Sequence, residues 1–246
     1  MTLFEVTMLG LLAGTLGTGA GGVIAVFLAR VSPVQISTLL GISAGVMIAI
    51  VAFELMPEAI ENGGLFTGLA GLLLGVFLMA SIDRIFPHIH ILGEEEHSPF
   101  LKSGVIIGLG IAMHNLPEGL AIGVGGINAP ATGMALAIVI ALHNIPEGIA
   151  LSLPLKIGKV RALKVILTAM AVGIPMGIGA FIGGLVGTLS PAFNSVFLGI
   201  AAGAMLFITF DELVPQTEKL SEGHSGTYGI VAGVVAGILM LAVIPY

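Results

Sequence analysis

The chain contains the hexapeptide HNLPEG at residues 114–119 and a near copy, HNIPEG, at residues 143–148. Each copy places an imidazole, an amide and a carboxylate inside a stretch that is otherwise almost entirely apolar. Neither apolar stretch, 103–127 or 132–153, contains a Lys or Arg that would neutralise its glutamate. The missing positive charge has to come from outside the protein, and a metal ion is its simplest source.

The composition predicts a membrane protein. Of 246 residues, 57% are hydrophobic and 9% are charged, and the mean hydropathy is +1.13. An ordinary soluble domain carries about 25% charged residues. Apolar runs of about 20 residues, long enough to cross a bilayer, recur from end to end. We predict an all-α integral membrane protein with a single polytopic domain over residues 1–246 and eight spans at 4–29, 35–60, 65–86, 103–127, 132–153, 162–188, 193–220 and 227–244.

The basic residues predict the orientation. If the amino terminus is outside, the inner loops or their edges contain every Lys and Arg of the chain, namely Arg30, Arg84, Lys102, Lys156, Lys159, Arg161, Lys164 and Lys219. Eight spans return the carboxyl terminus to the same side. We therefore expect a multi-pass protein of the cell membrane with both termini outside. The chain has no basic patch for nucleic acid, and its lack of Cys excludes thiolate ligands.

Two pairs of spans are internally repeated. Residues 32–57 match residues 190–215 at half of 26 positions, with an offset of 158 and no gap. These segments contain spans two and seven, which cross the membrane in opposite directions. Spans four and five repeat at an offset of 29 and are also antiparallel. We predict inverted repeats, spans one to three against six to eight and span four against five, as in secondary transporters with a midplane site and alternating access.

The two hexapeptides are expected near the middle of the membrane. At about 1.5 Å per residue they begin about 17–21 Å from the turn that joins their spans, within a hydrocarbon core of about 30 Å. Spacings of three and four residues put the polar side chains of each motif on one helical face. Gly119 and Gly148 allow the helices to pack closely. The predicted metal ligands are His114, Asn115, Glu118, His143, Asn144 and Glu147.

The donor atoms predict the kind of metal. Imidazole nitrogen and carboxylate oxygen are ligands of Zn²⁺, and Fe²⁺, Mn²⁺, Co²⁺ and Ni²⁺ also accept them. Two His and two Glu suffice for one four-coordinate ion, and the two Asn extend the coordination to a second. The simpler interpretation is that all six residues are polar contacts between helices. Two identical triads at one depth favour the metal site, because ionisable residues inside a membrane are functional by default.

Other polar residues are candidates for a path on either side of the site. Glu54 and Glu58 end span two at the outer face, and Asp211 and Glu212 end span seven at the inner face. Carboxylates at opposite mouths would attract and release cations, although ordinary hydration of helix ends also explains them. The inner loop after span three contains a candidate metal acceptor, for which a solvated loop is the commoner explanation: His88, His90 and His97.

The paired hexapeptides, the eight spans, the outside termini and the repeat of spans two and seven resemble the ZIP family of divalent-metal transporters, in particular its prokaryotic zinc/iron branch. The resemblance implies import of zinc, and often of iron or manganese, toward the cytoplasm, and two glutamates that bridge a binuclear centre. Cadmium stays open as a further cargo. The family commonly has a Glu just before a Pro-x-Gly on span six, where this chain has Ile174. The second ion position is therefore expected to be weaker here. The Gly-rich spans also suit a homodimer.

Two other functions remain open from the residues alone. An intramembrane di-metal enzyme would use the same ligands, but the chain has no HExxH motif, and an enzyme does not need inverted repeats. A proton-relaying cation channel would use the His and Glu side chains as proton carriers. We predict a metal transporter.

Overall fold

A computed structural model describes residues 1–28, 32–85, 99–221 and 223–243 of the chain. These residues form eight long helices: α1 (Leu3–Phe27), α2 (Pro33–Gly63), α3 (Leu65–Ile85), α4 (Pro99–Asn128), α5 (Pro130–Ile157), α6 (Ala162–Gly187), α7 (Pro191–Leu220) and α8 (Ser225–Val243). Over their described residues, 7 of them are long and apolar enough to cross a bilayer, and α4 is 30 residues long. The prediction of an all-helical integral membrane protein is confirmed.

Helices α2 and α7 begin in the same way. The hydroxyls of Ser32 and Ser190 each accept a hydrogen bond from a backbone N–H in the first turn. Pro33 and Pro191 follow at the first helical position, where a missing N–H has no cost. Because both pairs of residues lie 158 positions apart, the start of the helix is repeated together with the sequence.

The same two helices each contain one π-helical turn, at Val51–Leu55 in α2 and at Thr209–Leu213 in α7. Pro57 and Pro215 lie two residues after these turns. A proline lacks the N–H and its ring collides with the carbonyl four residues earlier, so the helix widens there. The two turns are also 158 residues apart.

The π-helical turns correct one prediction about the acidic residues. Glu54 lies in the turn of α2, and Asp211 and Glu212 lie in the turn of α7. Because the helices resume after each turn and continue to Gly63 and Leu220, these carboxylates are inside the helices rather than at their ends.

Four pairs of helices pack extensively: α2 with α8, α3 with α7, α4 with α6 and α1 with α5. Helix α2 also packs along α7. Further contacts join α4 to α5 and α1 to α6. We therefore distinguish a motif group (α1, α4, α5, α6), which carries both hexapeptides, from a support group (α2, α3, α7, α8). The two groups meet mainly where α2 faces α5 and where α4 faces α7.

Glycines allow the helices of the motif group to touch backbone to backbone. A β-carbon at Gly119 on α4 would overlap the carbonyl oxygen of Met176 on α6. A β-carbon at Gly148 on α5 would overlap the carbonyl oxygen of Thr18 on α1. The predicted role of both motif glycines in close packing is confirmed.

Lys156 fixes one end of the motif group. Near the end of α5, its ammonium group donates hydrogen bonds to the carbonyls of Ala25, Val26 and Leu28, at distances of 3.1, 2.8 and 2.5 Å. The last carbonyls of a helix have no partner within that helix, and a cation complements the negative end of its dipole. Lys156 thereby joins α5 to the C-terminus of α1.

Candidate metal centre

Both hexapeptides are helical throughout. Helices α4 and α5 continue through Pro117 and Pro146, so the spacing of the polar residues puts them on one face, as predicted. Their described side chains are removed from solvent, with relative exposures of 0% for Asn115, Glu118, Asn144 and Glu147 and of 3% for His143.

One short polar contact joins the two motifs. Nε2 of His143 on α5 lies 2.9 Å from Oε1 of Glu118 on α4, and both side chains are fully buried. The second carboxylate oxygen, Oε2 of Glu118, is buried without a hydrogen-bond partner among the described residues. Burying such an oxygen is costly unless it is paired. A bound cation would provide the pairing.

The two asparagines form a chain of hydrogen bonds that ends on α6. The Asn144 amide nitrogen donates to Oδ1 of Asn115 over 3.4 Å, and the Asn115 amide nitrogen donates to the carbonyl of Val172 over 2.8 Å. Helix α6 is interrupted at Gly173, immediately after Val172, and the last carbonyls before a helix end lack helical partners. Oδ1 of Asn144 is buried and has no partner in the described part of the chain.

Ser43 is a residue of this centre that the sequence reasoning missed. Its hydroxyl lies 3.0 Å from Oε1 of Glu147 and 3.1 Å from the backbone carbonyl of His143. Ser43 is fully buried on α2, so the contact crosses from the support group to the motif group. Because Ser43 and Glu147 are 104 residues apart in sequence, helical periodicity gives no sign of it.

The structure tests the predicted ligand set only in part. The side chain of His114 lies outside the described part of the chain, although its backbone belongs to α4. Within that described part, no group of three or more His, Asp or Glu side chains is placed to hold an ion together. What the structure does bring together is Glu118 with His143 and Asn115 with Asn144. The full ligand set stays a prediction.

Ile174 occupies the position where the resembled family commonly has a glutamate. Its side chain is 47% exposed. It lines an apolar groove of about 310 Å³ between α1 and α6, together with Thr7, Leu11, Gly177, Ile178 and Phe181. Helix α6 therefore contributes the backbone carbonyl of Val172 to the hydrogen bonds of the two asparagines. The side chain of Ile174 faces the groove.

An open cavity of about 430 Å³ lies where the second half of α2 meets the start of α5. Glu54 and Glu58, both predicted from the sequence, line this cavity. Glu61, Asn62 and Thr132 also line it and were not predicted. Three carboxylates around one opening produce a negative potential that attracts cations.

Glu212 lies against the helix that carries the first hexapeptide. A β-carbon at Gly110 on α4 would be 2.6 Å from Oε2 of Glu212. Gly110 is four residues before His114 and eight before Glu118, so all three positions lie along one face of α4. The carboxylate of Glu212 is thus near the face of α4 that carries the first hexapeptide. Asp211, its neighbour in the π-helical turn, is exposed. The three loop histidines, His88, His90 and His97, lie outside the described residues.

Helices long enough to cross a membrane, with a buried histidine–carboxylate pair between two of them, define a polytopic membrane protein with a candidate cation site. Residues 88–245 match the family described as ZIP Zinc transporter. The chain is 34% identical over 250 residues to the zinc transporter ZupT of Corynebacterium aurimucosum, with 94% of each chain covered.

Two further relatives are similar over nearly their whole length. Identity to the zinc transporter ZupT of Akkermansia muciniphila is 34% over 266 residues, covering 98% of this chain and 97% of the relative. For the zinc transporter ZupT of Corynebacterium glutamicum it is 36% over 256 residues, covering 95% and 96%. The chain belongs to the ZIP family of membrane transporters and is not an enzyme. The resemblance noted in the sequence is confirmed.

Proposed function

We propose that this protein imports a divalent metal ion, with zinc as the main cargo, through a site between α4 and α5 at the membrane midplane. The observation that carries the proposal is the buried contact between His143 and Glu118, which leaves one carboxylate oxygen without a partner among the described residues. The relatives are named as zinc transporters. The same donor atoms also accept Fe²⁺, Mn²⁺, Co²⁺, Ni²⁺ and Cd²⁺.

The cost of buried charge supports a cation. An ionised carboxylate at the bilayer centre costs about 2.5–3.5 kcal/mol on insertion scales, and the centre contains both Glu118 and Glu147. The apolar stretches around them contain no Lys or Arg. A zinc ion bound to two imidazoles and two carboxylates would neutralise both glutamates in the tetrahedral coordination that zinc prefers. We assign these ligands to His114, Glu118, His143 and Glu147.

We further propose one tightly held ion per chain. A second ion would need oxygen ligands from the asparagines and from α6. Both polar atoms of Asn115 are engaged, by Asn144 and by Val172, and the Ile174 side chain supplies no ligand. Of these groups, Oδ1 of Asn144 is the described oxygen that remains for a second ion, and one neutral oxygen binds a divalent ion weakly.

The path through the protein is proposed from the acidic residues on the two sides of the site. With both termini outside, the cavity lined by Glu54 and Glu58 opens to the exterior and gathers cations. Glu212 lies beside Gly110, between the metal site and the cytoplasmic end of α4, and receives the ion on its way to the cytoplasm. Lys156, at the opposite end of α5 from this cavity, then faces the cytoplasm, in agreement with the positive-inside rule.

The paired packing of the helices supports inverted repeats. Exchanging spans one to three with six to eight, and four with five, turns the pair α2–α8 into α7–α3 and the pair α4–α6 into α5–α1. All four pairs are present. Matching helix starts and π-helical turns at an offset of 158 agree with this relation. We propose that alternating access arises from movement of the motif group against the support group.

The test is zinc uptake into proteoliposomes. Glu118→Ala and Glu147→Ala are each expected to abolish uptake while the purified protein keeps its helical circular dichroism. Glu218→Ala is the matched control, because it removes an exposed carboxylate near the end of α7. Full uptake by both site variants would refute the site. Flux that ignores zinc but follows an imposed pH gradient would instead support a proton-relaying channel built on His143 and Glu118.

A further inference from the structure

Ser43 connects the support group to the proposed metal centre. Its side chain is completely buried on α2, and its hydroxyl approaches Oε1 of Glu147 to 3.0 Å and the carbonyl of His143 to 3.1 Å. A hydroxyl has one proton, so the two acceptors share it. Both acceptors belong to residues that we assign as ligands of the ion.

A hydrogen bond to one carboxylate oxygen limits the rotation of that carboxylate. The terminal torsion of a glutamate is otherwise broad, and a freely turning carboxylate must be ordered each time an ion binds. Groups that hold metal ligands in place commonly change metal affinity about 10- to 100-fold when they are removed. A serine that holds Glu147 in one orientation is therefore placed to affect ion capture.

The corresponding position in the repeat has no hydroxyl. The position that corresponds to Ser43 at the offset of 158 is Ala201 on α7, which is also completely buried. The glutamate that corresponds to Glu147 at the offset of 29 is Glu118, and Glu118 contacts His143. A methyl group therefore stands at the repeat position that corresponds to Ser43. Of the two corresponding positions, the one on the helix that faces Glu147 carries the hydroxyl.

We propose that Ser43 is a positioning residue of the metal centre, whose hydroxyl orients the Glu147 carboxylate for capture of the ion. This inference rests on the proposed function. Neither the hexapeptides nor the acidic path includes this residue, and it acts through Glu147 without being a ligand itself.

The experiment compares Ser43→Ala and Ser43→Gly, two variants without the hydroxyl, with Ser37→Ala. Ser37 is a matched control because it is also a fully buried serine of α2. Its hydroxyl donates to the carbonyl of Thr217 over 2.8 Å, away from the hexapeptides. The measurements are KM and Vmax of zinc uptake in proteoliposomes and the Kd of zinc in detergent, by competition with a chelating dye.

Removing the Ser43 hydroxyl is expected to raise both KM and Kd roughly tenfold and to leave Vmax within about twofold of the wild type. Ser37→Ala is expected to keep the wild-type KM and Kd even if it lowers the melting temperature. Wild-type KM and Kd in a folded Ser43 variant, or an equal rise in Ser37→Ala, would overturn the proposal. Failure of the proposed function is distinct, because the wild-type protein itself would then take up no zinc.

Discussion

The hexapeptides on α4 and α5 differ in one residue, Leu116 against Ile145, but their glutamates have different surroundings. Glu118 contacts an imidazole of the other motif and keeps one carboxylate oxygen without a partner in the described structure. Glu147 accepts a hydrogen bond from Ser43 on a helix of the other group. The same hexapeptide therefore has two different surroundings, because its two copies face different helices.

The asparagines differ in the same way. Asn115 is engaged at both of its polar atoms, whereas Oδ1 of Asn144 has no hydrogen-bond partner within the described ranges. The carbonyl of Val172 on α6 accepts a hydrogen bond from the Asn115 amide nitrogen, whereas no donor among the described residues reaches Oδ1 of Asn144. Two copies of one motif can thus keep the same residues while the polar atoms of those residues differ in whether they have hydrogen-bond partners.

The largest effect is expected where the two motifs are most alike, at their glycines. Gly119→Ala and Gly148→Ala should each destabilise the protein by about 3 kcal/mol or more, because the new methyl group overlaps a backbone carbonyl rather than a flexible side chain. Thermal melting in detergent measures this loss. Gly125→Ala is the control, since its β-carbon would have ordinary contacts at 3.4 Å or more. Equal melting of all three variants would mean that the motif helices do not pack backbone to backbone.

The second-largest effect, on zinc binding, should distinguish two neighbouring residues of one motif, His143 and Asn144. His143→Ala is expected to weaken zinc binding about 100-fold, because it removes a ligand and leaves Glu118 without its partner. Asn144→Ala is expected to weaken it by less than about fivefold, since Asn144 mainly supports Asn115. Elemental analysis of the purified variants after dialysis against a zinc buffer reports both values. Similar losses in the two variants would contradict the different roles of these neighbours.

A glutamate at position 174 tests whether α6 participates in the centre. Ile174→Glu is expected to leave the zinc content at about one ion per chain, because the side chain at this position faces the apolar groove. Its melting temperature should fall, since a carboxylate in lipid is costly. A zinc content of about two ions per chain would show that the position does face the asparagines.

A smaller effect, on the rate of zinc uptake, is expected from a substitution beside Glu212. Gly110→Ala should slow zinc uptake by about threefold, because the new methyl group displaces the flexible Glu212 carboxylate and not a backbone atom. Zinc bound by the detergent-solubilised protein should stay at the wild-type amount, with Gly125→Ala again as the control. A change in bound zinc without a change in uptake would remove Glu212 from the proposed path.

Local patterns predicted much of this molecule. Helical periodicity placed His143 and Glu147 on one face, and the buried structure confirms it for α5. The small size of Gly119 and Gly148 predicted direct contact of helix backbones, which is also confirmed. These features depend on spacing and residue size within one or two turns, and such information is present in the sequence itself.

Other features depend on contacts between distant segments. The serine that binds Glu147 is 104 residues away in sequence, and nothing local distinguishes Ser43 from the buried Ser37. Glu54 and Asp211 were placed at helix ends, but each lies in a π-helical turn, after which the α-helix resumes at Met56 or Val214. The packing of the helices decides such long-range contacts and where each helix ends, so the sequence pattern alone did not reveal them.

The central claim is that the buried pair of α4 and α5 binds the transported ion. Anomalous scattering at the zinc absorption edge, recorded on crystals of the zinc-loaded protein, locates that ion directly. We predict one strong peak about 2.0–2.2 Å from a ring nitrogen of His143 and from a carboxylate oxygen of Glu118. A zinc peak elsewhere, with the hydrogen bond between His143 and Glu118 still in place, would contradict it.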